Sequence, residues 1–180
     1  MRKKTPVFFF APFVSSMMRV EPAWIDYNGH MNMAYYHVLF DRAVDEGFGL
    51  VGLDHEYTEE RKASFFVAEI HTLHKRELKV HDQVRVTLQL VDYDEKRIHY
   101  YMEIRHVAEG WVAASMEGLS LHVDMETRKV SPFPADIAAN LAVMKAAHVR
   151  LVRPQSLGRV IGIPGKLEKP EALLTLGTRH

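Results

Sequence analysis

One stretch of the chain decides the fold and points to its chemistry: Trp24-Ile25-Asp26-Tyr27-Asn28-Gly29-His30-Met31-Asn32. Asn32 is a good N-cap, so a long helix is predicted to begin at Met33. The first turn of a helix carries unpaired backbone N–H groups and about half a positive charge, which together polarise a carbonyl oxygen. A carboxylate just upstream, Asp26, can attack such a carbonyl or deprotonate a water that does. The stretch therefore predicts a site for acyl-group hydrolysis.

Other residues of the stretch support this interpretation but also allow a plainer one. Gly29 permits the backbone conformation of a tight turn, and His30 can orient Asp26 or hydrogen-bond a substrate. The alternative is a surface turn followed by an ordinary helix cap, because Asn and Gly are common before helices. The residue types alone leave both interpretations open.

Composition indicates one globular domain and excludes several classes of function. The chain has 180 residues, 47% of them hydrophobic, which is enough for a substantial core. Lys and Arg balance Asp and Glu at 23 each, so bulk charge indicates neither a nucleic-acid nor a membrane partner. The absence of Cys excludes thiolate catalysis and disulfides. There are 11 His but no His-Glu-x-x-His spacing, so a metal site is not predicted.

The N-terminus imitates a secretory signal. A basic start, Met1-Arg2-Lys3-Lys4, precedes an apolar run over residues 7–14. The run is short, is interrupted by Pro12 and has no clear cleavage site, so we do not predict export. No run of about 20 apolar residues follows, so no transmembrane helix is predicted. We expect a cytoplasmic protein.

Periodicity predicts an α+β chain. After a first strand over 13–21, it predicts a helix over 33–50, a charged surface loop over 54–62, strands over 64–78, 83–91, 97–106 and 111–124, and a second helix over 135–147. In the last strand the apolar phase switches across Gly118, which indicates a bulge or bend. About five antiparallel strands must then curl around one long helix to bury it. We divide the chain into an extension (1–12), a domain (13–150) and a tail (151–180).

The motif Asp-x-x-Gly-His-x-Asn, leading into Ala34-Tyr35-Tyr36, resembles the signature of hotdog-fold acyl-CoA thioesterases, the 4-hydroxybenzoyl-CoA thioesterase-like superfamily. The longer run from Val20 is similar to the betainyl-CoA thioesterase branch, which is associated with carnitine catabolism. This resemblance implies a hotdog fold, a short or modified acyl-CoA as substrate, and no cofactor other than the coenzyme A of that substrate. It also implies a homodimer or a dimer-of-dimers tetramer whose active sites are built from both subunits.

The resemblance also implies roles for residues of the motif. Asp26, His30 and Asn32 are the expected catalytic residues, and the polarising N–H is expected at Met33, seven positions after Asp26. Whether Asp26 attacks directly or through water stays open. Glu69 lies in a strand that relatives place beside the site, and an alternating pattern puts it on one face with its neighbours Val67 and His71. It is a candidate second carboxylate or, equally, an exposed strand residue.

Substrate contacts are predicted from charge and aromaticity. Cations that can hold the phosphates of coenzyme A are Lys75, Arg76, Lys96 and Arg97. Aromatic residues that can hold a trimethylammonium group by cation–π contact are Trp24, Tyr27, Tyr35, Tyr36 and Trp111. An aromatic core accounts for most of the second set equally well.

Two rival functions are considered. The first is a hotdog enoyl-CoA hydratase or dehydratase, but its usual Asp-x-x-x-x-His spacing is absent because His30 follows Asp26 by four residues. The second is a non-catalytic acyl-CoA-binding regulatory domain, for which Asp26 would not be needed.

Overall fold

The structure is a computed structural model that describes residues 10–163. Seven strands form one antiparallel sheet: β1 (Phe13–Val14), β2 (Met18–Arg19), β3 (Ala63–His74), β4 (Gln83–Tyr93), β5 (Arg97–His106), β6 (Val112–Asp124) and β7 (Lys129–Val130). The order across the sheet is β1-β4-β5-β6-β3, while β2 also pairs with β4 and β7 with β6. The strand β3 is therefore an edge of the sheet.

Three helices accompany the sheet: α1 (Met33–Gly49), α2 (His55–Arg61) and α3 (Ala135–His148). The long helix α1 buries Leu39, Phe40 and Phe48 in the core, and the Phe48 ring packs edge-to-face on Tyr100 of β5 with centroids 5.3 Å apart. Gly47 lets α1 approach the sheet closely, since a Cβ there would lie 3.2 Å from Leu88. One face of the sheet thus covers α1, and the α+β prediction is confirmed.

The predicted first strand is wrong as one continuous element. The pairs Phe13–Leu88 and Met18–Val84 differ in register by one residue, so β1 and β2 are separate strands along β4. Between them Ser15 Oγ accepts a hydrogen bond from the Val86 N–H, and both the N–H and the hydroxyl of Ser16 donate to Glu46 of α1. The Ser15 N–H still donates to the Val86 carbonyl at 2.8 Å, so the side-chain bonds supplement an interrupted backbone ladder at the break.

The predicted loop over 54–62 is also wrong, because α2 lies there. Asp54 caps this helix by accepting from the Tyr57 N–H at 2.8 Å, and Lys62 ends it in the left-handed conformation. Tyr57 is buried and its hydroxyl hydrogen-bonds to His122 Nε2 at 2.7 Å. Arg61 also forms a bidentate ion pair with Asp136 of α3, so tertiary contacts anchor a segment whose charge predicted a loop.

The strand β6 has no register shift at Gly118, so the predicted bulge there is wrong. Gly118 makes room for an aromatic ring instead, since a Cβ at this position would lie 2.5 Å from the Tyr100 ring. Register shifts lie elsewhere along β6: between Val67 and Glu69 in its pairing with β3, and between Ile104 and Arg105 in its pairing with β5.

After α3, the chain crosses the face of the sheet opposite to α1. Ser156 Oγ hydrogen-bonds to the Tyr101 hydroxyl at 2.8 Å, and the Gly158 N–H donates to Glu117 at 2.7 Å. The proposed domain boundaries stay a prediction, and residues 1–9 and 164–180 lie outside the described part. Within residues 10–163, no helix is long and apolar enough to cross a membrane.

Candidate active site

The motif forms a short hairpin that leads directly into α1. An isolated bridge joins Ile25 to Met31, the Asp26 N–H donates to the His30 carbonyl at 2.9 Å, and the Asn32 N–H donates to the Trp24 carbonyl at 2.9 Å. At the tip Gly29 has φ +79°, a conformation that a residue with a side chain rarely adopts. These bonds fix Asp26 relative to the start of the helix.

The Asp26 side chain is half-buried. Its Oδ1 accepts from the Asn28 N–H at 2.8 Å, which holds the carboxylate in the turn. Within residues 10–163, its second oxygen makes no hydrogen bond to a protein group. The carboxylate is thus positioned by one oxygen and able to act through the other.

The first turn of α1 is capped in a way that leaves one donor unused. Asn32 Oδ1 accepts from the Ala34 N–H at 3.0 Å, and the Asn32 carbonyl accepts from the Tyr35 N–H at 3.0 Å. In the described part of the chain, the Met33 N–H has no protein acceptor, as expected for a first helical residue. The Met33 side chain is 67% exposed, so the group that Met33 offers to the site is its backbone N–H.

The His30 side chain contacts a second loop, and among residues 10–163 it makes no hydrogen bond to the Asp26 carboxylate. Its Nε2 lies 3.4 Å from the carboxylate of Glu77, and both side chains are more than half exposed. The same loop contacts α1, since the Leu78 N–H donates to the buried Tyr36 hydroxyl at 3.3 Å. Burial raises the pKa of Tyr36 and keeps it a neutral structural group. The expectation that His30 orients Asp26 is therefore not met in this structure.

The four predicted phosphate-binding cations do not lie together. Lys75 and Arg76 follow the end of β3 and bind the Ala113 carbonyl through their backbone N–H groups. Arg97 starts β5 opposite Leu121 of β6, which is about 27 Å along that strand from Ala113 at roughly 3.4 Å per residue. Lys75 and Arg76 adjoin Glu77, which contacts the motif loop, so this pair alone lies beside the candidate site.

The lysine and arginine beside the motif are already engaged to different extents. Lys75 Nζ lies 3.9 Å from a Glu103 oxygen, which is a loose and partly exposed ion pair. The Arg76 guanidinium lies 4.2 Å from the centre of the Trp111 ring and 3.8 Å from Glu109. Both cations keep donors that can reach an anionic ligand.

Glu69 does not share a face with Val67, so that part of the prediction is wrong. The register shift in β3 pairs Val67 with Ser120 and Glu69 with Leu119, and these positions of β6 lie on opposite faces. Glu69 therefore points with His71 to the face away from α1 of its own protomer. Sequence alternation missed this because the shift inserts one residue, Ala68.

The predicted aromatic residues do not form a cage for a cation. Trp24 is buried, stacks on Tyr35 at 5.3 Å and already has the Arg42 guanidinium 5.4 Å above its ring. Tyr27 is 97% exposed, and Tyr36 packs edge-to-face on His74. The ring of Trp111 stacks on the His106 ring and contacts the Arg76 guanidinium. The core interpretation accounts for Trp24, Tyr35, Tyr36 and Trp111, whereas Tyr27 lies exposed on the surface.

A groove that the sequence did not reveal runs along α1 from its first turn. Its volume is about 340 Å³. Side chains of α1 that line it are Ala34, His37, Val38, Phe40, Asp41 and Val44, and side chains of the sheet are Val67, Ile70, Tyr100 and Met116. The α1 members span ten residues, or about 15 Å. Asp26 does not line this groove within one protomer.

Part of the groove lies open along the edge strand β3. Val67 and Ile70, which line it, are 49% and 43% exposed, and the adjacent Phe66 is 40% exposed. An apolar edge strand with unpaired backbone groups is a surface that proteins normally cover. The groove therefore has one wall missing in the single chain.

Comparison with known proteins decides the family. Residues 20–141 match the thioesterase-like superfamily. The chain belongs to this superfamily. Among curated relatives, the betainyl-CoA thioesterase of Pseudomonas aeruginosa is 34% identical over 81% of this chain and 91% of its own length. The L-carnitine dehydrogenase/betainyl-CoA thioesterase of Rhizobium meliloti is 38% identical over 80% of this chain, which spans only 29% of that longer relative.

Solved structures agree with the superfamily assignment. A Staphylococcus aureus protein in complex with CoA is 28% identical, with a TM-score of 0.80 over 89% of this chain and 100% of that chain. A Pseudomonas putida protein is 27% identical, with a TM-score of 0.75 over 86% and 99% of the two chains. The predicted hotdog fold and the predicted enzyme class, a thioester hydrolase, are confirmed for this member of the superfamily.

Proposed function

We propose that this thioesterase hydrolyses a short or modified acyl-CoA to the free acid and coenzyme A, with Asp26 as the reacting carboxylate. The observation that carries the proposal is the hydrogen-bonded hairpin that joins Asp26 to the first turn of α1, where the Met33 N–H has no protein acceptor among residues 10–163. The Met33 N–H donates to the thioester oxygen, and the positive end of α1 stabilises the charge that develops there. Coenzyme A then leaves as a thiol.

Asp26 has two routes to the acyl carbon. As a nucleophile, it forms an anhydride with the acyl group that water then cleaves. As a general base, it takes a proton from a water that attacks the carbonyl. In both routes Asn32 keeps the first helical turn in place and Gly29 allows the hairpin. His30 acts by fixing the motif loop to Glu77.

The acyl group occupies the groove along α1, because the groove starts at Ala34, one residue after the proposed oxyanion donor. The missing wall is supplied by a second copy of the chain, paired through the exposed edge of β3. In that homodimer, Glu69 lies next to the interface and is a candidate contact of the partner's site. Two such dimers can associate as a tetramer through surfaces outside the β3 interface.

The nucleotide end of the substrate lies over Lys75 and Arg76. This pair follows β3 immediately and shares its loop with Glu77, the partner of His30. Two cations beside the motif match the phosphates of coenzyme A, which are anionic and polydentate. A CoA thioester is an intracellular metabolite, so we place the reaction in the cytoplasm.

The named relatives suggest which acyl group is used. Two of them carry betainyl-CoA thioesterase in their names, at 34% and 38% identity. We therefore propose betainyl-CoA as the substrate and carnitine catabolism as the setting. The product would be glycine betaine.

A thiol-release assay over a panel of acyl-CoAs tests the proposal. Asp26→Asn should lower kcat by about 100-fold or more, as expected for loss of a nucleophile or general base. Asp94→Asn is the matched control, since Asp94 also accepts a backbone N–H bond, from Arg97 at 2.8 Å, but belongs to the turn between β4 and β5 and not to the motif.

The assay also separates the rival functions. Hydration of an enoyl-CoA without thiol release would support a hydratase, and acyl-CoA binding without any turnover would support a regulatory domain. Either result, or full activity of Asp26→Asn, would contradict the proposal.

A further inference from the structure

A second groove, here called the outer groove, lies on the face of the sheet opposite to α1. Its volume is about 1160 Å³, and its walls come from β3, β4, β5 and the segment 151–159 that follows α3. Two hydrogen bonds fix this segment on the sheet, one between Ser156 Oγ and the Tyr101 hydroxyl at 2.8 Å and one from the Gly158 N–H to Glu117 at 2.7 Å. The segment is therefore a held wall of the groove.

The outer groove carries an excess of positive charge. Among the described residues that line it, the only carboxylate is that of Glu103, whereas the cations are Lys75, Arg105, Arg153 and Arg159. Glu103 pairs with both Lys75 and Arg105, so two cations share one negative charge. Within residues 10–163, Arg153 and Arg159 form no ion pair, and both are exposed. These two guanidinium groups are available to an anionic ligand.

The neighbouring cavity on the same face of the sheet has the opposite character. It lies beyond Gly158, has a volume of about 810 Å³ and shares Arg159 with the outer groove. The carboxylates that line it are those of Glu69, Asp92, Asp94 and Glu117. Because like charges repel, an anionic ligand on this face is directed to the outer groove.

The outer groove begins close to the start of α1. Tyr36 follows Met33 by three residues, or about 4.5 Å along the helix. Its ring packs on the ring of His74, the last residue of β3, with centroids 4.7 Å apart. The next residue, Lys75, pairs with Glu103 on the opposite face of the sheet and lines the outer groove. The end of β3 is therefore a short route from the Met33 N–H to this groove.

The substrate is long enough to follow this route. The pantetheine arm between the sulfur and the first phosphate of coenzyme A is comparable to about four extended residues, or about 13 Å. The route combines about 4.5 Å along α1, 4.7 Å between the two ring centroids and one residue of β3. A thioester on the Met33 N–H thus brings the phosphates to the mouth of the outer groove, beside Lys75.

We propose that the outer groove binds the nucleotide end of the acyl-CoA substrate, with Arg153 and Arg159 contacting its phosphate groups. Arginine suits this role because its planar guanidinium donates paired hydrogen bonds to a phosphate. The apolar side chains of Leu73 and Pro154, which also line the groove, provide surface for the base and the sugar. This inference rests on the proposed thioesterase function and names the residues that recognise the non-reacting end of its substrate.

Two substrates with the same acyl group test the proposal: an acyl-CoA, and the acyl-pantetheine that lacks the nucleotide. The double variant Arg153→Gln/Arg159→Gln should lower the ratio of kcat/KM for acyl-CoA to kcat/KM for acyl-pantetheine by about tenfold or more, because each exposed charged contact contributes about three- to tenfold. The fall should come from a higher KM for acyl-CoA.

Arg150→Gln is the matched control. Arg150 directly precedes the same segment and is exposed, but it does not line the outer groove. The change removes the same charge, so a general electrostatic effect of the segment would lower the ratio in this variant as well. We expect the ratio to stay at the wild-type value.

Inhibition by adenosine 3′,5′-bisphosphate, a fragment of the coenzyme A nucleotide, separates a substrate subsite from an independent effector site. Inhibition that is competitive with acyl-CoA, and weaker in the double variant, would support the proposal. Inhibition or activation that is not competitive with acyl-CoA would assign the groove to a free nucleotide and overturn it.

The failures of the two proposals differ. If the wild type releases thiol from neither substrate with any acyl group, the proposed function is wrong and the inference falls with it. If the wild type hydrolyses both substrates while the double variant keeps the wild-type ratio, the role of the outer groove alone is wrong. Equal loss of both rates in the double variant would overturn that role in the same way.

Discussion

Asn32 offers a way to separate the stability of α1 from its chemistry. Its Oδ1 caps the helix through the Ala34 N–H at 3.0 Å, and the next residue, Met33, provides the proposed oxyanion donor. Asn32→Ala removes the cap and should lower the free energy of unfolding by about 1 kcal/mol. Asn32→Asp keeps an acceptor and adds a negative charge at the positive end of the helix, so stability should stay within about 0.5 kcal/mol of the wild type.

The activities of the two variants should follow the opposite order. In Asn32→Asp, the new carboxylate would lie about 5 Å from an oxyanion on the Met33 N–H. Repulsion at that distance amounts to about 1 to 3 kcal/mol, depending on exposure, so kcat should fall between about fivefold and about a hundredfold. Asn32→Ala introduces no charge and should lose less than about tenfold in kcat.

Urea unfolding measures the stabilities, and thiol release from a saturating acyl-CoA measures kcat. If Asn32→Asp keeps both its stability and its kcat, no negative charge develops beside Met33 and the oxyanion assignment is refuted. If Asn32→Asp is as unstable as Asn32→Ala, the capping role is refuted instead.

Three further predictions follow from the packing. Gly118→Ala should lower the free energy of unfolding by about 1 to 3 kcal/mol in urea, because its Cβ meets the Tyr100 ring; an unchanged midpoint would contradict this close approach. Burial lowers the pKa values of His74, His122 and His148, so the unfolded chain binds more protons below about pH 6.5 and stability should fall as the pH falls through that value. Urea midpoints at pH 7.5 and 5.5 measure this change in stability, and a lower midpoint at pH 7.5 would contradict its predicted direction. Ile70→Asp should shift the mass in analytical ultracentrifugation toward the 20.7 kDa monomer and abolish turnover, whereas an intact dimer would show that β3 is not the interface.

Local signals in the sequence were sufficient for the central features of the site. The Asn32 cap and the start of α1 at Met33 follow from residue types over a few positions, and the strand Arg97–His106 follows from alternation. These features depend on neighbours in the chain, which a sequence displays directly.

Features that depend on contacts between distant segments were missed. The helix α2 depends on Tyr57 meeting His122, 65 residues away, and its charged sequence gave no sign of that contact. The facing of Glu69 depends on a register shift that alternation cannot locate. The groove along α1 is lined by side chains of α1, β3, β5 and β6 together, so no local pattern reveals it.

A structure of the enzyme with a carbonyl-containing substrate analogue tests the central claim most directly. The analogue is an acyl-CoA in which methylene replaces the thioester sulfur, so that it keeps the carbonyl and cannot be hydrolysed. We predict that the carbonyl oxygen lies about 2.9 Å from the Met33 nitrogen, with the Asp26 carboxylate in reach of the carbonyl carbon directly or through one water. A carbonyl bound elsewhere, with Asp26 facing open solvent in the complete dimer, would contradict the account.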